Sequence, residues 1–322
     1  MRPPYRITSG ILRLHSETAR LCGLLEGWEL SAPKPELRKY NRIRAIQGTL
    51  SIEGNTLTLE QVTSVLEGKR IAGPARDILE AANAAKTYAA LETWDAFSQK
   101  AFLKAHRLLM DGLLPDAGKW RRGKVGIRKA EGLSHPAPPP ARVPALMESL
   151  FKYLKSKEEE SLLIRSCVFH YETAFIHPFM DGNGRMARLW QTLLLMRHHH
   201  AFAFVPVESI VKRREKRYYR ALETADRSGE STSFIEFMLE AILEALREFI
   251  LEVEVPVRTP GTRLEAARTR FGTAWFTRKD YLGFFKTIAS ATASRDLRLG
   301  ADEGLLERSG DKRLARYRFR KA

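Results

Sequence analysis

Residues Ile176–Trp190 read "IHPFMDGNGRMARLW". This stretch sets one histidine, one acid, an asparagine between two glycines, and two arginines side by side. The proline after His177 biases that residue away from the right-handed helical region. His177 is therefore expected on a loop leading into a helix that begins near Gly182–Gly184. Glycine lacks Cβ, so a ligand can come close to the backbone there. The N–H groups at the start of a helix form an anion cradle, to which Asn183 can add a side-chain donor. Arg185 and Arg188, three apart, lie on neighbouring turns of one face. Two guanidinium groups beside an amide cradle suit a polyphosphate. Asp181 is a hard carboxylate, suited to a Mg²⁺ that keeps several waters and shares phosphate oxygens. His177, with an ordinary pKa near neutrality, suits a general base. The set points to nucleotidyl or phosphoryl transfer to a hydroxyl. A glycine-rich connector with a surface arginine pair is the bland alternative, and it leaves the coincidence of so many groups unexplained.

Outward from this stretch the chain is mainly helical in pattern. "EESLLIRSCVFHYETAFI" precedes it and "GRMARLWQTLLLMRHHH" continues it. His198–His200 reads as a polar helix end, because adjacent histidines on a helix diverge too far to share a metal. Upstream, "PELRKYNRIRAIQGTLSIEG" reads as a helix ending at Gly54, and Thr58 with Gln61 forms a capping box for the next. The 322 residues, 44% hydrophobic, allow one large domain with an appendage or two to three small ones. A net charge of +16 favours acidic partners. Two cysteines, Cys22 and Cys167, make no disulfide framework and suit a reducing cytoplasm. The N-terminus has no signal-peptide core, and glutamates break the most apolar late segment, so a soluble cytoplasmic protein without a membrane span is expected.

The opening stretch resembles the signature of the Fic (Fido) family, H-P-F-x-[D/E]-G-N-G-R-x-x-R, at every fixed position. The resemblance implies a helical catalytic fold and a protein adenylyltransferase, transferring AMP from ATP to a Ser, Thr or Tyr hydroxyl of a target protein or of itself. It implies that His177 is the catalytic base and that Asp181 holds Mg²⁺. It implies that Gly182, Asn183 and Gly184 line the anion hole, that Arg185 contacts the phosphates and that Arg188 binds the γ-phosphate. Phe179 is expected to steady the loop from the core. The branch that phosphorylates its target has lysine where this chain has Gly184.

"TLSIEGN" places Thr49 and Glu53 four apart on one helical face. Alone it would read as a solvated helix end. Beside the first motif it resembles the family's inhibitory pattern, [S/T]-x-x-x-E-[G/N]. That resemblance implies a carboxylate at Glu53 that takes Arg188 from the γ-phosphate. It also allows Glu53 to align a water that removes AMP from a modified target.

"GKWRRGKVGIRKAEG" is rich in Gly and reads as a β-hairpin between helices. It resembles the family's target-docking flap, with Val125, Gly126 and Ile127 as the edge and Ile127 also covering the adenine. "RYYRALETAD" resembles the helix closing the base pocket, through Tyr219, Leu222 and Asp226. Some relatives have Asn at the last position, so Asp226 departs from the pattern.

Beyond "PVRTPG" the composition shifts. Residues 262–322 hold fifteen Lys/Arg and seven Asp/Glu, a net of +8, half the excess charge. "RKDYLGFF" as a first helix, "SATASRDL" as the start of a recognition helix and "GLLERSGDKRLARYRF" as a wing resemble a winged helix-turn-helix. Thr292, Ser294 and Arg295 would meet base edges, and Arg298, Lys312 and Arg313 would meet phosphates. DNA binding through residues 262–322 and a protein-docking or dimer role both stay open, as does a homodimer.

The expected organisation is an N-terminal helical region over 1–110 with an inhibitory helix about 41–54, a Fic core over 111–255 with a flap at 118–140, and a winged-helix domain over 256–322. The rival to the enzyme is a DNA-binding transcriptional regulator with a nucleotide-sensing Fic core. Retention of His177 and Asp181 favours the enzyme, since a sensor has no need of a base.

Overall fold

The computed structural model describes residues 3–27, 33–129, 132–156, 160–253, 259–285, 288–311 and 315–320, and gives no side-chain positions for 27 and 126–136. The chain divides into two compact units, Met1–Gly23 with Ala32–Leu246 and Leu24–Ser31 with Arg247–Ala322. It is mainly helical. Among the described residues no helix is long and apolar enough to cross a membrane.

The helices that lie mainly in the first unit are α1 (Ser9–Gly27), α2 (Pro35–Ile52), α3 (Leu59–Leu66), α4 (Ala75–Ala89), α5 (Gln99–Leu109), α6 (Val143–Lys155), α7 (Leu162–Ile176), α8 (Asn183–His198), α9 (Val207–Arg213), α10 (Glu215–Ser228) and α11 (Thr232–Glu252). The α3 start bears the capping box expected at Thr58 and Gln61. Helices α7 and α8 form the central pair and pack on each other along their length. Helix α8 buries residues on every side, including Met186, Leu189, Trp190, Leu193 and Leu194. Such a helix belongs in the middle of a core, not on a surface.

An aromatic cluster supports the α7–α8 connection. The Phe102 ring meets Trp190 edge-on at 5.0 Å and stacks with Phe179 at 5.5 Å. Phe151 and Phe169 complete the cluster. Phe179 is fully buried, and emptying such a site costs about 3–5 kcal/mol. His199 ends α8 and caps the following turn, its Nδ1 accepting from the Ala201 N–H at 3.2 Å.

A hairpin interrupts the helices. Strand β1 (Gly126–Lys129) pairs antiparallel with β2 (Gly132–Pro136), with a bulge between Gly126 and Arg128.

The second unit holds α12 (Pro260–Phe271), β3 (Phe276–Thr277), α13 (Arg278–Phe284), α14 (Ser290–Asp302), β4 (Leu306–Ser309) and β5 (Arg316–Phe319). The strands form an antiparallel sheet in the order β3-β5-β4. "RKDYLGFF" is thus the second helix of this unit, not the first. Thr259 opens α12 with its own capping box and a Pro in the first turn, a start signal passed over in the linker. The buried Arg263 and Asp296 form an ion pair, with Nη2 at 2.7 Å from Oδ1. Tyr281 donates to the same carboxylate at 3.1 Å.

Candidate active site

The α7–α8 loop is held closed by its own side chains. Asn183 Oδ1 accepts from the Phe179 N–H at 2.8 Å, and its Nδ2 donates to the Phe179 carbonyl at 2.9 Å. Both ends of the buried carboxamide are therefore used inside the loop. One hydrogen of Nδ2 is thus spent on Phe179, and the main-chain N–H of Asn183 opens α8. Gly182 caps α8 at φ 82°, and a Cβ there would sit 2.8 Å from Met110 Sδ. Both the backbone angle and the space demand glycine. The N–H groups of Asn183, Gly184 and Arg185 open α8 and have no acceptor within the helix.

His177 departs from the backbone expected before proline. It lies in the left-handed region at φ 52°, ψ 60°, and among the described residues it alone, apart from glycines, has positive φ. Such a conformation costs about 1–3 kcal/mol and persists where neighbours enforce it. Here its N–H bonds the Thr173 carbonyl at 3.0 Å and terminates α7. Its own carbonyl accepts from Arg121 Nε at 2.7 Å. His177 Nδ1 lies 3.2 Å from the Ala174 carbonyl. A carbonyl only accepts, so Nδ1 carries the proton and Nε2 holds the lone pair. Burial, aided by the charge of Arg121, lowers the imidazole pKa and keeps it neutral near pH 7.

Asp181 is the exposed acid of the loop. Its Oδ2 accepts from Arg76 Nη2 at 3.0 Å, and its Oδ1 from the Gly182 N–H at 2.6 Å. Arg185 is almost wholly buried. Its Nη1 lies 3.0 Å from Glu80 Oε1 and its Nη2 3.4 Å from Asp181 Oδ1. Glu80 also takes Arg76 and Asn55 Nδ2. Arg76, Glu80, Arg185 and Asp181 form a closed ring of alternating charge beside the cradle.

Arg188 is 2% exposed. Its Nε donates to Thr49 Oγ1 at 2.8 Å and its Nη2 to the Thr49 carbonyl at 3.1 Å and to Glu53 Oε1 at 2.7 Å. Burial acts to lower its pKa, but the Glu53 carboxylate together with Tyr218 and Tyr219 outweighs this and the net shift is upward. Gly184 makes the pairing possible: a Cβ there would lie 2.3 Å from Glu53 Oε1. The end of α2 is held further by Lys212 Nζ on the Ser51 carbonyl at 3.0 Å and by Tyr219 on the Ile52 carbonyl at 3.4 Å. A cation on the last carbonyls of a helix is a favourable cap.

This arrangement is that of a known family. A sequence model of the Fic/DOC family matches residues 96–195. A crystal structure of a Fic family protein from Desulfovibrio desulfuricans G20 aligns at TM-score 0.74 and 40% identity, covering 100% of this chain and 99% of that one. The chain belongs to the Fic family. The protein adenylyltransferase Fic of Drosophila ananassae is 30% identical over 244 residues, 73% of this chain. The chain spans about half the length of that relative, 47%. Fic-1 from C. elegans shares the fold at TM-score 0.60 and 22% identity, over 74% of this chain and 72% of that one.

Of the Fic residues expected from sequence, His177, Asp181, Gly182, Asn183, Gly184, Arg185, Arg188 and Glu53 converge on one place. Tyr219, Leu222 and Asp226 lie along one half-buried face of α10. Asp226 accepts from Tyr171 at 3.1 Å. Val125 is half-buried before the hairpin, Gly126 begins β1, and the side chain of Ile127 lies outside the described positions.

Two supports of the Fic loop went unnoticed in the sequence. Arg121 gives Nε to His177, Nη1 to Gly123 at 3.1 Å, and Nη2 to Pro138 at 2.5 Å and Ile176 at 3.3 Å, all carbonyls. Its N–H also bonds the Pro178 carbonyl at 2.9 Å. One side chain thus ties the hairpin to both sides of His177. His106 stacks on Phe179 with ring centroids 3.5 Å apart. Its Nδ1 accepts from the Gly118 N–H, so its Nε2 donates to the Asp181 carbonyl at 3.0 Å. Burial pushes His106 down to about 4. The only sequence signal was "KAHRLL", a histidine on the apolar side of an amphipathic helix, which usually marks a plain core position.

Proposed function

We propose that this protein transfers AMP from ATP to a Ser, Thr or Tyr hydroxyl of a target protein or of itself, and that Glu53 holds this activity down. The observation that carries the reading is the placement of His177. Its proton is held on Nδ1, which leaves the Nε2 lone pair available, and its ring, in the loop that opens the cradle, lies within reach of the charges of Asp181 and Glu53. In this reading Nε2 takes the proton of the target hydroxyl. The oxygen attacks the α-phosphorus, the bond to the bridging oxygen breaks, and pyrophosphate leaves. The N–H groups of Asn183, Gly184 and Arg185 meet charge as it builds on the phosphate oxygens. Arg188 takes the γ-phosphate and fixes the line of attack.

Asp181 suits Mg²⁺, since that ion uses one or two carboxylates and completes its shell from phosphate and water. Bound there, Mg²⁺ would neutralise charge between phosphate groups. In the resting geometry Nε and Nη2 of Arg188 are committed to Thr49 and Glu53. A γ-phosphate must compete with a carboxylate already in place. The same carboxylate lies near enough to the cradle to orient a water, which supports a reverse, AMP-removing activity as a second role for Glu53. The supporting relatives are named as adenylyltransferases.

We read the second unit as a winged helix. The helix–strand–helix–helix order and the β3-β5-β4 sheet support this. Helix α14 exposes Ser294, Arg295 and Arg298, while Thr292 is half-buried. Ser294 already accepts from Arg278 at 3.1 Å. Lys312 and Arg313 lie outside the described residues. This pattern allows DNA binding through residues 262–322. A salt-dependent mobility shift tests it.

The central test is label transfer from α-labelled ATP with Mg²⁺. Glu53→Gly should label itself, and Glu53→Gly/His177→Ala should not. Equal labelling of both would remove His177 as the base. Salt-dependent DNA binding with no transfer in any variant would favour the regulator instead.

A further inference from the structure

A basic rim adjoins His177 on the side of the hairpin. From Lys119 to Lys129 the sequence has six Lys or Arg and no Asp or Glu. Two of the six are engaged within the fold. Arg121 is turned inward, 3% exposed, and Lys119 pairs with Asp116 at 3.1 Å. Arg122 and Lys124 are exposed, and neither side chain is paired with an acid among the described residues. Arg128 and Lys129 belong to β1, and their side chains lie outside the described positions.

Main-chain contacts fix where this rim stands. The Arg121 N–H bonds the carbonyl of Pro178, the residue after His177, at 2.9 Å. The Arg121 side chain reaches the His177 carbonyl at 2.7 Å and the Gly123 carbonyl at 3.1 Å. Arg122 therefore sits between two residues tied to the His177 loop. Gly123 also lies against Met180: a Cβ there would come 3.3 Å from Met180 Sδ. Met180 is 43% exposed, and an exposed methionine is an adaptable apolar contact. Beside His177 there are thus two unpaired cations and one apolar side chain. Strand β1 pairs with β2 alone among the described residues, so its outer edge is open to an extended chain.

Exposed cations elsewhere on a surface mostly meet water. A protein segment that brings a hydroxyl to His177 passes these two. An acidic side chain within a few positions of that hydroxyl is the complementary group. The rim suits a peptide better than a nucleic acid. Its one aromatic residue between 119 and 129 is Trp120, whose ring packs toward Phe179 and Phe102 at 5.2 and 6.2 Å. Bases would find no free ring to stack on there, whereas carboxylates need none.

We propose that this rim selects targets with acidic residues close to the modified hydroxyl, held by Arg122 and Lys124, beside an apolar residue that meets Met180. Transfer to that hydroxyl rests on the reading of His177 as the base; the binding preference does not.

Three peptide pools share a central Ser, Thr or Tyr and differ in their flanks: Asp and Glu, Asn and Gln, or Lys and Arg. Binding to the full chain is followed by fluorescence anisotropy without nucleotide. In low salt the acidic pool should bind about two- to twentyfold tighter than the neutral one, because one exposed charge pair contributes up to about fivefold. The gap should close as salt rises. In Arg122→Glu/Lys124→Glu the order should invert, with the basic pool bound best. If that variant fails to fold, Arg122→Gln/Lys124→Gln should bring the three pools level. Labelling of the pools by Glu53→Gly with ATP and Mg²⁺ should follow the order of binding, through KM. Equal binding of the pools, or an acidic preference undiminished in the variants, would overturn the docking rim. So would an oligonucleotide of equal charge that binds more tightly than the acidic pool and is lost in the variants, since the rim would then be a nucleic-acid site. Inverted binding with no labelling in any preparation would support the rim and count against the proposed reaction alone.

Discussion

Glu53→Gly should raise self-labelling and lower stability in the same protein. The two effects share one cause. Arg188 is 2% exposed and Glu53 Oε1 lies 2.7 Å from its Nη2. A hydrogen bond between charged groups in such a place is worth about 1.5–3 kcal/mol. The Thr49 carbonyl and hydroxyl, at 3.1 and 2.8 Å, remain to hold the guanidinium. The loss is therefore that of one partner, not of a whole buried network. Read as competition, removing it frees Arg188 for the γ-phosphate by a factor of about 10–150, because each 1.4 kcal/mol is tenfold. Read as stability, the same loss lowers the melting temperature by about 3–10 °C. Excess ATP with Mg²⁺ should restore much of that loss in Glu53→Gly, since a phosphate then takes the empty place. The assays are initial rates of label incorporation and thermal melts with and without nucleotide. Unchanged rate together with unchanged melting would refute the competition. A lower melting temperature that ATP fails to recover would place Glu53 in packing alone.

Gly184→Ala should disturb the same pair from the other side, because its Cβ would lie 2.3 Å from Glu53 Oε1; the carboxylate is a flexible end and should yield. Melts of Gly184→Ala, Glu53→Gly and the double variant should then be clearly non-additive, and full additivity would count against a shared contact. Arg76→Ala should tighten Mn²⁺ binding in the absence of nucleotide by about two- to fivefold, since it removes a largely exposed competitor for Asp181 Oδ2. Electron paramagnetic resonance titration measures this, with Asp181→Asn as the variant that should lose the site. Burial lowers His106 to about 4 and His170 to about 3. Both folded values lie below the unfolded value of about 6.5, so the unfolded chain binds more protons between them. Stability should fall as pH drops from about 6.5 toward 4, by up to about 1.4 kcal/mol per pH unit for each histidine. Denaturant melts across that range check the slope, and His106→Asn should make it shallower. Transfer should decline only below pH 6.5, because the lowered His177 pKa keeps the base neutral further into acid.

The site's chemistry was legible because it is local. Within residues 177–188, the loop, the helix start and the arginine spacing all follow from neighbours a few positions apart. Thr49 and Glu53 were legible as a pair for the same reason, through the period of one helix. Their meeting with Arg188, 135 positions away, came from family resemblance and not from any property of the string. What surrounds the loop was not legible. Arg76, Glu80, His106 and Arg121 come from separate segments, and each alone looks like an ordinary helix or loop residue. The backbone of His177 was misjudged because the bias before proline is local, whereas its left-handed turn is enforced by Thr173 and Arg121. That Asn183 also closes the loop on Phe179 is not legible, because sequence cannot show which partner its amide meets. By itself the sequence determined which reactive groups stand together, since short spacing fixes them. Only the tertiary structure decided which of those groups are free, because that depends on partners brought in by packing across the chain.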